Sequence, residues 1–146
     1  MMRPGTGGTT SSAYCYSVWL RHLKHLYGNG LVSDIAQIKT VAEIGPGDSL
    51  GIGMSALYSG ASNYLAFDVI RHAFSERNLE VNDDLLQLFL AKTPVPHGKG
   101  FERTAPTLDD YSFPSEILKY DLDQYRETNV EISKALSGED ADLRIE

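Results

Sequence analysis

The sequence predicts an α/β fold built on parallel strands. Two short apolar runs, Thr40 to Ile44 and Tyr64 to Val69, have the length and composition of buried strands. Between them, a glycine-bearing loop at 45–51 leads into an apolar segment around Met54, which predicts a helix that Gly60 closes. A strand, a helix and a second strand of about thirty residues form a crossover unit, in which the two strands run parallel.

The segment before this unit predicts helix. Apolar and aromatic residues recur every three or four positions from Tyr14 to Tyr27, and Gly28 to Gly30 ends that helix with a turn. A short second helix is expected at Leu31 to Ile38. Residues 1–12 are rich in Gly, Thr and Ser, so we expect a flexible N-terminus there.

The segment after the unit predicts two more helices and a strand. Asn82 or Asp83 is expected to cap the first helix, and an irregular stretch follows at 93–113. A polar helix is predicted from Asp121 to Ser137, and Ala141 to Glu146 predicts a strand. The side chains expected on the buried side of the polar helix are Leu122, Tyr125, Ile132 and Leu136.

Composition narrows the functional classes. The 146 residues suit one domain, expected at 13–146. The net charge is −7 and no cluster of Lys and Arg is visible, so bulk nucleic-acid binding is not expected. No apolar run predicts a membrane span, and a cytoplasmic location is expected.

The single cysteine, Cys15, excludes an intramolecular disulfide and a zinc site of paired cysteines. His22 and His25 are interpreted as surface residues, and no metal site is predicted.

The loop after the first predicted strand and the residues beside it have the features of a ligand-binding site. Gly45 and Gly47 allow backbone torsions and a close approach that a side chain would prevent. The helix starting near Ser49 is expected to offer unpaired N–H groups and a positive dipole end. Glu43 places a carboxylate at the end of the first strand, where an ammonium group can bind, and Asp68 closes the second strand. These groups suit a ligand with an amino-acid end and a ribose.

In these residues the sequence resembles the class I S-adenosylmethionine-dependent methyltransferases. Their first motif, an acid followed by alternate glycines, is matched by Glu43, Gly45 and Gly47, and their second, an acid ending the next strand, by Asp68. The resemblance implies that Glu43 and the glycine backbone face the methionine part, Asp68 the ribose and Val69 the adenine. Ser49 stands at the usual third glycine and is a candidate helix cap. The expected cofactor-binding residues are Glu43, Gly45, Pro46, Gly47, Ser49, Asp68 and Val69.

The resemblance also implies a fold. The family has a Rossmann-like, three-layer α/β/α domain with strand order 3-2-1-4-5-7-6, and ligands bind where the order reverses. We expect this chain to be the N-terminal portion of such a domain, incomplete, with strands 1 and 2 and the start of strand 3. Residues 40–70 would form the cofactor-binding unit and 71–140 a mostly helical insertion. No catalytic residue and no methyl acceptor is assigned.

Two alternatives stay open. A nicotinamide-binding Rossmann oxidoreductase has the fingerprint Gly-x-Gly-x-x-Gly, whereas Gly51 here comes one residue too late, and that family has no particular use for an acid at Glu43. A non-catalytic α/β interaction module would leave Glu43 and Asp68 solvated at the strand ends. Tyr16, Trp19 and Cys15 are interpreted as core residues rather than site residues.

Overall fold

The computed structural model describes residues 11–69 and 76–146. Its helices are α1 (Ser12–Gly28), α2 (Gly51–Tyr58), α3 (Glu76–Leu90) and α4 (Leu122–Leu136). Its strands are β1 (Thr40–Ile44), β2 (Asn63–Phe67) and β3 (Arg144–Ile145), and a short 3-10 helix at Ile35–Gln37 precedes β1.

The three strands form one parallel sheet in the order β1-β2-β3. Val41 lies opposite Tyr64, and Glu43 opposite Ala66. The α/β class and the parallel crossover from β1 through α2 to β2 are therefore confirmed. The last strand pairs beside β2, so β1 is an edge strand among the described residues.

The core lies on the helical side of the sheet. Helix α2 packs against β1 and β2, and the other three helices pack around α2. Phe89 of α3 is the centre of an aromatic cluster. Its ring centroid lies 5.0 Å from Tyr16, 5.0 Å from Tyr58, 5.4 Å from Tyr125 and 6.5 Å from Phe113. All five side chains are buried, so this cluster joins α1, α2, α3 and α4.

The irregular segment 93–113 is fixed to α1 by a buried arginine. The guanidinium of Arg21 donates to the carbonyl oxygens of Pro96, Thr104 and Pro106 at 2.8–3.2 Å. It also lies 5.0 Å from the ring centroid of Tyr111. Backbone carbonyls and an aromatic face thus satisfy this charge, and the irregular segment is packed rather than free.

The other face of β1 is open. Thr40, Ala42 and Ile44 are exposed, whereas Val41 and Glu43 are half-buried on the side of α2. The second helical layer of the expected three-layer arrangement is not found in 11–69 or 76–146. None of the helices in these two ranges is long and apolar enough to span a membrane.

Several element boundaries differ from the prediction. Helix α1 begins at Ser12 and is capped by Ser11. The hydroxyl of Ser12 donates to Asp84 at 2.8 Å. The flexible segment expected at 1–12 therefore extends too far. Residues 1–10 lie outside the described residues. Between Leu31 and Ile38 only one 3-10 turn forms.

The start predicted for α3 was wrong. The helix already runs from Glu76, and Asn82 is a buried residue within it. The Asn82 amide accepts from the Tyr58 hydroxyl at 2.7 Å and donates to the Ser133 hydroxyl at 3.0 Å, so this polar residue links three helices. The region 71–140, of which 71–75 lie outside the described residues, contains α3, the irregular segment and α4.

Helix α4 is close to its prediction. Asp121 caps it with a capping box, and Gly138 follows it at φ +74°. Tyr125, Ile132 and Leu136 are buried as expected, but Leu122 is exposed. Leu122 is the first residue of the helix.

Candidate functional site

The loop after β1 has the geometry that its glycines predict. Gly45 adopts φ +67° and Gly47 φ +79°, both in the left-handed region that side chains disfavour. An added Cβ at Gly45 would meet no atom within 4 Å. The left-handed backbone, rather than crowding by protein atoms, therefore requires glycine at Gly45, and the space beside it is open.

Glu43 lies on the α2 side of β1. Its Oε2 accepts a hydrogen bond of 2.6 Å from the hydroxyl of Tyr64 on β2. Burial raises the pKa of the Glu43 carboxyl, and the bond from Tyr64 opposes that rise. Burial, followed by the neighbouring Glu43 charge, raises the pKa of the Tyr64 hydroxyl well above its usual range. Tyr64 therefore acts here as a neutral hydrogen-bond donor.

A shallow depression of about 460 Å³ lies at the carboxyl ends of β1 and β2. Asp68 is exposed beside it, and its Oδ1 accepts from the Val69 N–H at 2.6 Å. Apolar side chains next to the acid are also open to solvent, with Ile44 89%, Phe67 58% and Val69 98% exposed. The residues lining the depression are Ile44, Gly45, Ala66, Phe67, Asp68 and Val69.

Two N–H groups at the start of α2, which the sequence suggested to be unpaired, have acceptors within the protein. The Leu50 N–H donates to Oδ1 of Asn78 at 2.9 Å, and the Gly51 N–H donates to the Ser49 hydroxyl at 3.3 Å. Ser49, Leu50 and Asn78 are all buried. Leu50 is the N-cap residue, and its own side chain forms no capping bond. The N–H groups of Leu50 and Gly51 are thus already satisfied by protein groups.

Ser49 faces α1 rather than the depression. Its hydroxyl lies 3.8 Å from the Sγ of Cys15, and an added Cβ at Gly51 would lie 2.5 Å from the same sulfur. Burial raises the pKa of Cys15 to about 11, so its thiol stays protonated at neutral pH. Gly51 therefore allows α2 to pack closely against α1.

The structure brings together only some of the predicted site residues. Gly45, Asp68 and Val69 line the depression, and Gly47 continues the left-handed loop beside it. Pro46 and Ser49 are buried. Glu43 precedes Gly45 but turns its carboxylate toward Tyr64.

Two residues that organise the site were missed by the sequence analysis. Tyr64 was interpreted only as a strand residue, and Asn78 was not assigned any role. For Tyr64 a signal exists in Gly53, a glycine inside a helix, where glycine is costly unless something packs closely against it. For Asn78 we find no sequence signal, because its bond to Leu50 joins residues that are far apart in the chain.

No metal-binding group of three or more His, Cys, Asp or Glu side chains occurs within 11–69 and 76–146. His22 and His25 are exposed on α1. Comparison of the chain with protein-family models, with curated proteins and with solved structures finds no match.

Proposed function

We propose that this chain carries the cofactor-binding half of a class I S-adenosylmethionine-dependent methyltransferase. The observation that carries the proposal is the juxtaposition of Gly45 and Asp68 at one depression, where β1 and β2 end side by side. Neighbouring parallel strands that end in a glycine turn and in an acid form the common arrangement for a nucleoside ligand.

The strand order supports the same proposal. Strand β3 lies beside β2 and parallel to it, so the order β1-β2-β3 corresponds to the 3-2-1 half of the methyltransferase sheet. In this arrangement the ligand lies at the carboxyl end of β1, next to Gly45. The Rossmann-like form of the fold is part of this proposal.

The surroundings of the depression suit each part of the cofactor. Exposed Asp68 has carboxylate oxygens that can accept from the two ribose hydroxyls. Exposed Ile44, Phe67 and Val69 offer apolar surface for the adenine ring. Glu43 supplies a half-buried carboxylate two residues before Gly45, which we assign to the ammonium group of the amino-acid end.

The start of α2 argues against the nicotinamide alternative. A dinucleotide places its pyrophosphate on free N–H groups at the beginning of the helix after the first strand. Here the N–H groups of Leu50 and Gly51 donate to Asn78 and Ser49. Gly51, which would have to approach the phosphates, packs against Cys15 instead.

The test is a binding experiment with S-adenosylmethionine, followed by calorimetry and by amide chemical shifts so that weak binding is detected. We expect Asp68→Ala to remove hydrogen bonds to a charged group, with a loss of about 1.5–3 kcal/mol of binding free energy. This corresponds to roughly ten- to hundredfold weaker binding. Asp109→Ala, which removes another exposed acid away from the depression, serves as the matched control and should bind like the wild type.

The proposal fails if the wild-type chain binds a nicotinamide dinucleotide and shows no shift with S-adenosylmethionine. It fails equally if Asp68→Ala and Asp109→Ala bind the cofactor with the same affinity, because the ribose contact would then lie elsewhere.

A further inference from the structure

The bond between Tyr64 and Glu43 is unusual in its setting. Tyr64 is fully buried on the second residue of β2, and its ring extends along the sheet face to reach a carboxylate near the end of β1. The hydroxyl donates to Oε2 at 2.6 Å, a length typical of a strong bond to an ionised acceptor.

Helix α2 makes room for this tyrosine. A Cβ added at Gly53 would overlap the Tyr64 ring, at Cε2 and Cζ. A glycine in the middle of a helix costs about 1 kcal/mol relative to alanine. The fold accepts this cost at a position where it lets the phenol lie between α2 and the sheet.

Two other buried tyrosines, Tyr16 and Tyr58, direct their hydroxyls to uncharged groups of the protein. The Tyr16 hydroxyl donates to the Thr93 carbonyl, and the Tyr58 hydroxyl to Asn82. Among the tyrosine hydroxyl bonds of the described residues, that of Tyr64 reaches a carboxylate, and this carboxylate belongs to Glu43, two residues before Gly45.

We propose that Tyr64 is a positioning residue for the amino-acid end of the ligand, and that it holds the Glu43 carboxylate in the place and orientation that receives the ligand ammonium group. The inference rests on the proposed function. A carboxylate has room for about four hydrogen bonds, so the one from Tyr64 leaves acceptor positions for an ammonium group. Because Glu43 is partly desolvated, a donor from the protein also favours the ionised form that the ammonium requires.

The test compares two ligands that share the adenosine and the neutral sulfur. S-adenosylhomocysteine has the ammonium and carboxylate groups, and methylthioadenosine lacks both. We expect Tyr64→Phe to weaken binding of S-adenosylhomocysteine about tenfold and to change binding of methylthioadenosine less than about twofold. A tyrosine that only filled the core would change both affinities alike.

Tyr58→Phe is the matched control. It also removes a buried, hydrogen-bonded tyrosine hydroxyl, but one that donates to Asn82 and accepts from Asn129 in the helical core. We expect it to lower the melting temperature without changing the ratio of the two affinities.

A second measurement needs no substitution, in case Tyr64→Phe does not fold. The 13C resonance of the Tyr64 phenol carbon should shift when the wild-type chain binds S-adenosylhomocysteine and stay in place with methylthioadenosine. Equal shifts with both ligands, or an equal loss of both affinities in Tyr64→Phe, would overturn the inference while the proposed function stands. Wild-type chain that binds neither ligand would overturn both.

Discussion

The two sides of the parallel sheet differ sharply in how they are covered. On the side of α2, four helices bury an aromatic cluster around Phe89 and seal Tyr64 against the strands. At the carboxyl ends of the strands and on the opposite face of β1, Ile44, Phe67 and Val69 remain exposed. Parallel sheets are normally covered on both faces, so the open side is the exception that needs a reason.

This difference implies that residues on the helical side of the sheet mainly determine stability, and that residues on the open side mainly determine ligand affinity. Apolar area removed from water is the main favourable term in folding, and in this chain most of it lies on the helical side. The glycine loop and Asp68 lie where little area is buried, so their substitution is expected to change ligand affinity more than the free energy of unfolding. Aromatic and aliphatic substitutions on the two sides can therefore test the contrast directly.

The largest effect is expected from the matched pair Phe89→Ala and Phe67→Ala. Phe89 is fully buried among four rings, and its truncation should lower the free energy of unfolding by about 3–5 kcal/mol. Phe67 is 58% exposed, so the same change there should cost about 1 kcal/mol or less. Urea unfolding followed by circular dichroism measures both. Equal losses would mean that the open side of the sheet is covered in solution.

A smaller effect is expected from pH, again on the helical side. Burial raises the pKa of Cys15 from 9.0 to about 11 in the folded chain. The contribution of the thiol to the free energy of unfolding is therefore complete below pH 9, where both the folded and the unfolded state are protonated. It is lost as pH rises toward 11, because only the unfolded state releases the proton. The expected loss of unfolding free energy is about 2–3 kcal/mol.

Buried tyrosines add to this loss above about pH 10, since burial raises the pKa of Tyr125 from 10.0 to about 12. Urea unfolding at pH 8 and at pH 10.5 measures the change. In Cys15→Ala the difference between the two pH values should shrink by about 1–2 kcal/mol. An unchanged difference would mean that the thiol is reached by solvent.

Local patterns were sufficient to predict much of the fold. Thr40 to Ile44 was predicted with the bounds that it has, because a compact apolar run between glycine and polar residues has few other interpretations. The start of α3 was missed because Asn82 is a strong cap by residue type, and only tertiary contacts with Tyr58 and Ser133 explain why it lies inside a helix. Arg21 was missed for a similar reason, since its partners are carbonyl groups of the distant segment 93–113.

The candidate site divides in the same way. The left-handed torsions of Gly45 and Gly47 and the position of Asp68 after β2 follow from short-range spacing, and they were predicted. That the Leu50 N–H at the start of α2 has an acceptor depends on Asn78, which α3 supplies. Ser49 turns toward Cys15 because of the way α1 packs. Neither contact can be predicted from the spacing of residues along the chain.

The smallest effect on stability is expected at Val69, the residue assigned to the adenine. Because Val69 is 98% exposed, Val69→Thr should leave the free energy of unfolding within about 0.5 kcal/mol of the wild type. Replacing a methyl group by a hydroxyl should still weaken binding of S-adenosylhomocysteine by about two- to fivefold, since apolar area against the base is lost. Val130→Thr, at a valine of α4 that is 52% exposed, is the control and should change neither quantity. If Val69→Thr instead costs more than about 1 kcal/mol of stability, another part of the protein covers Val69, and the contrast between the two sides of the sheet does not hold.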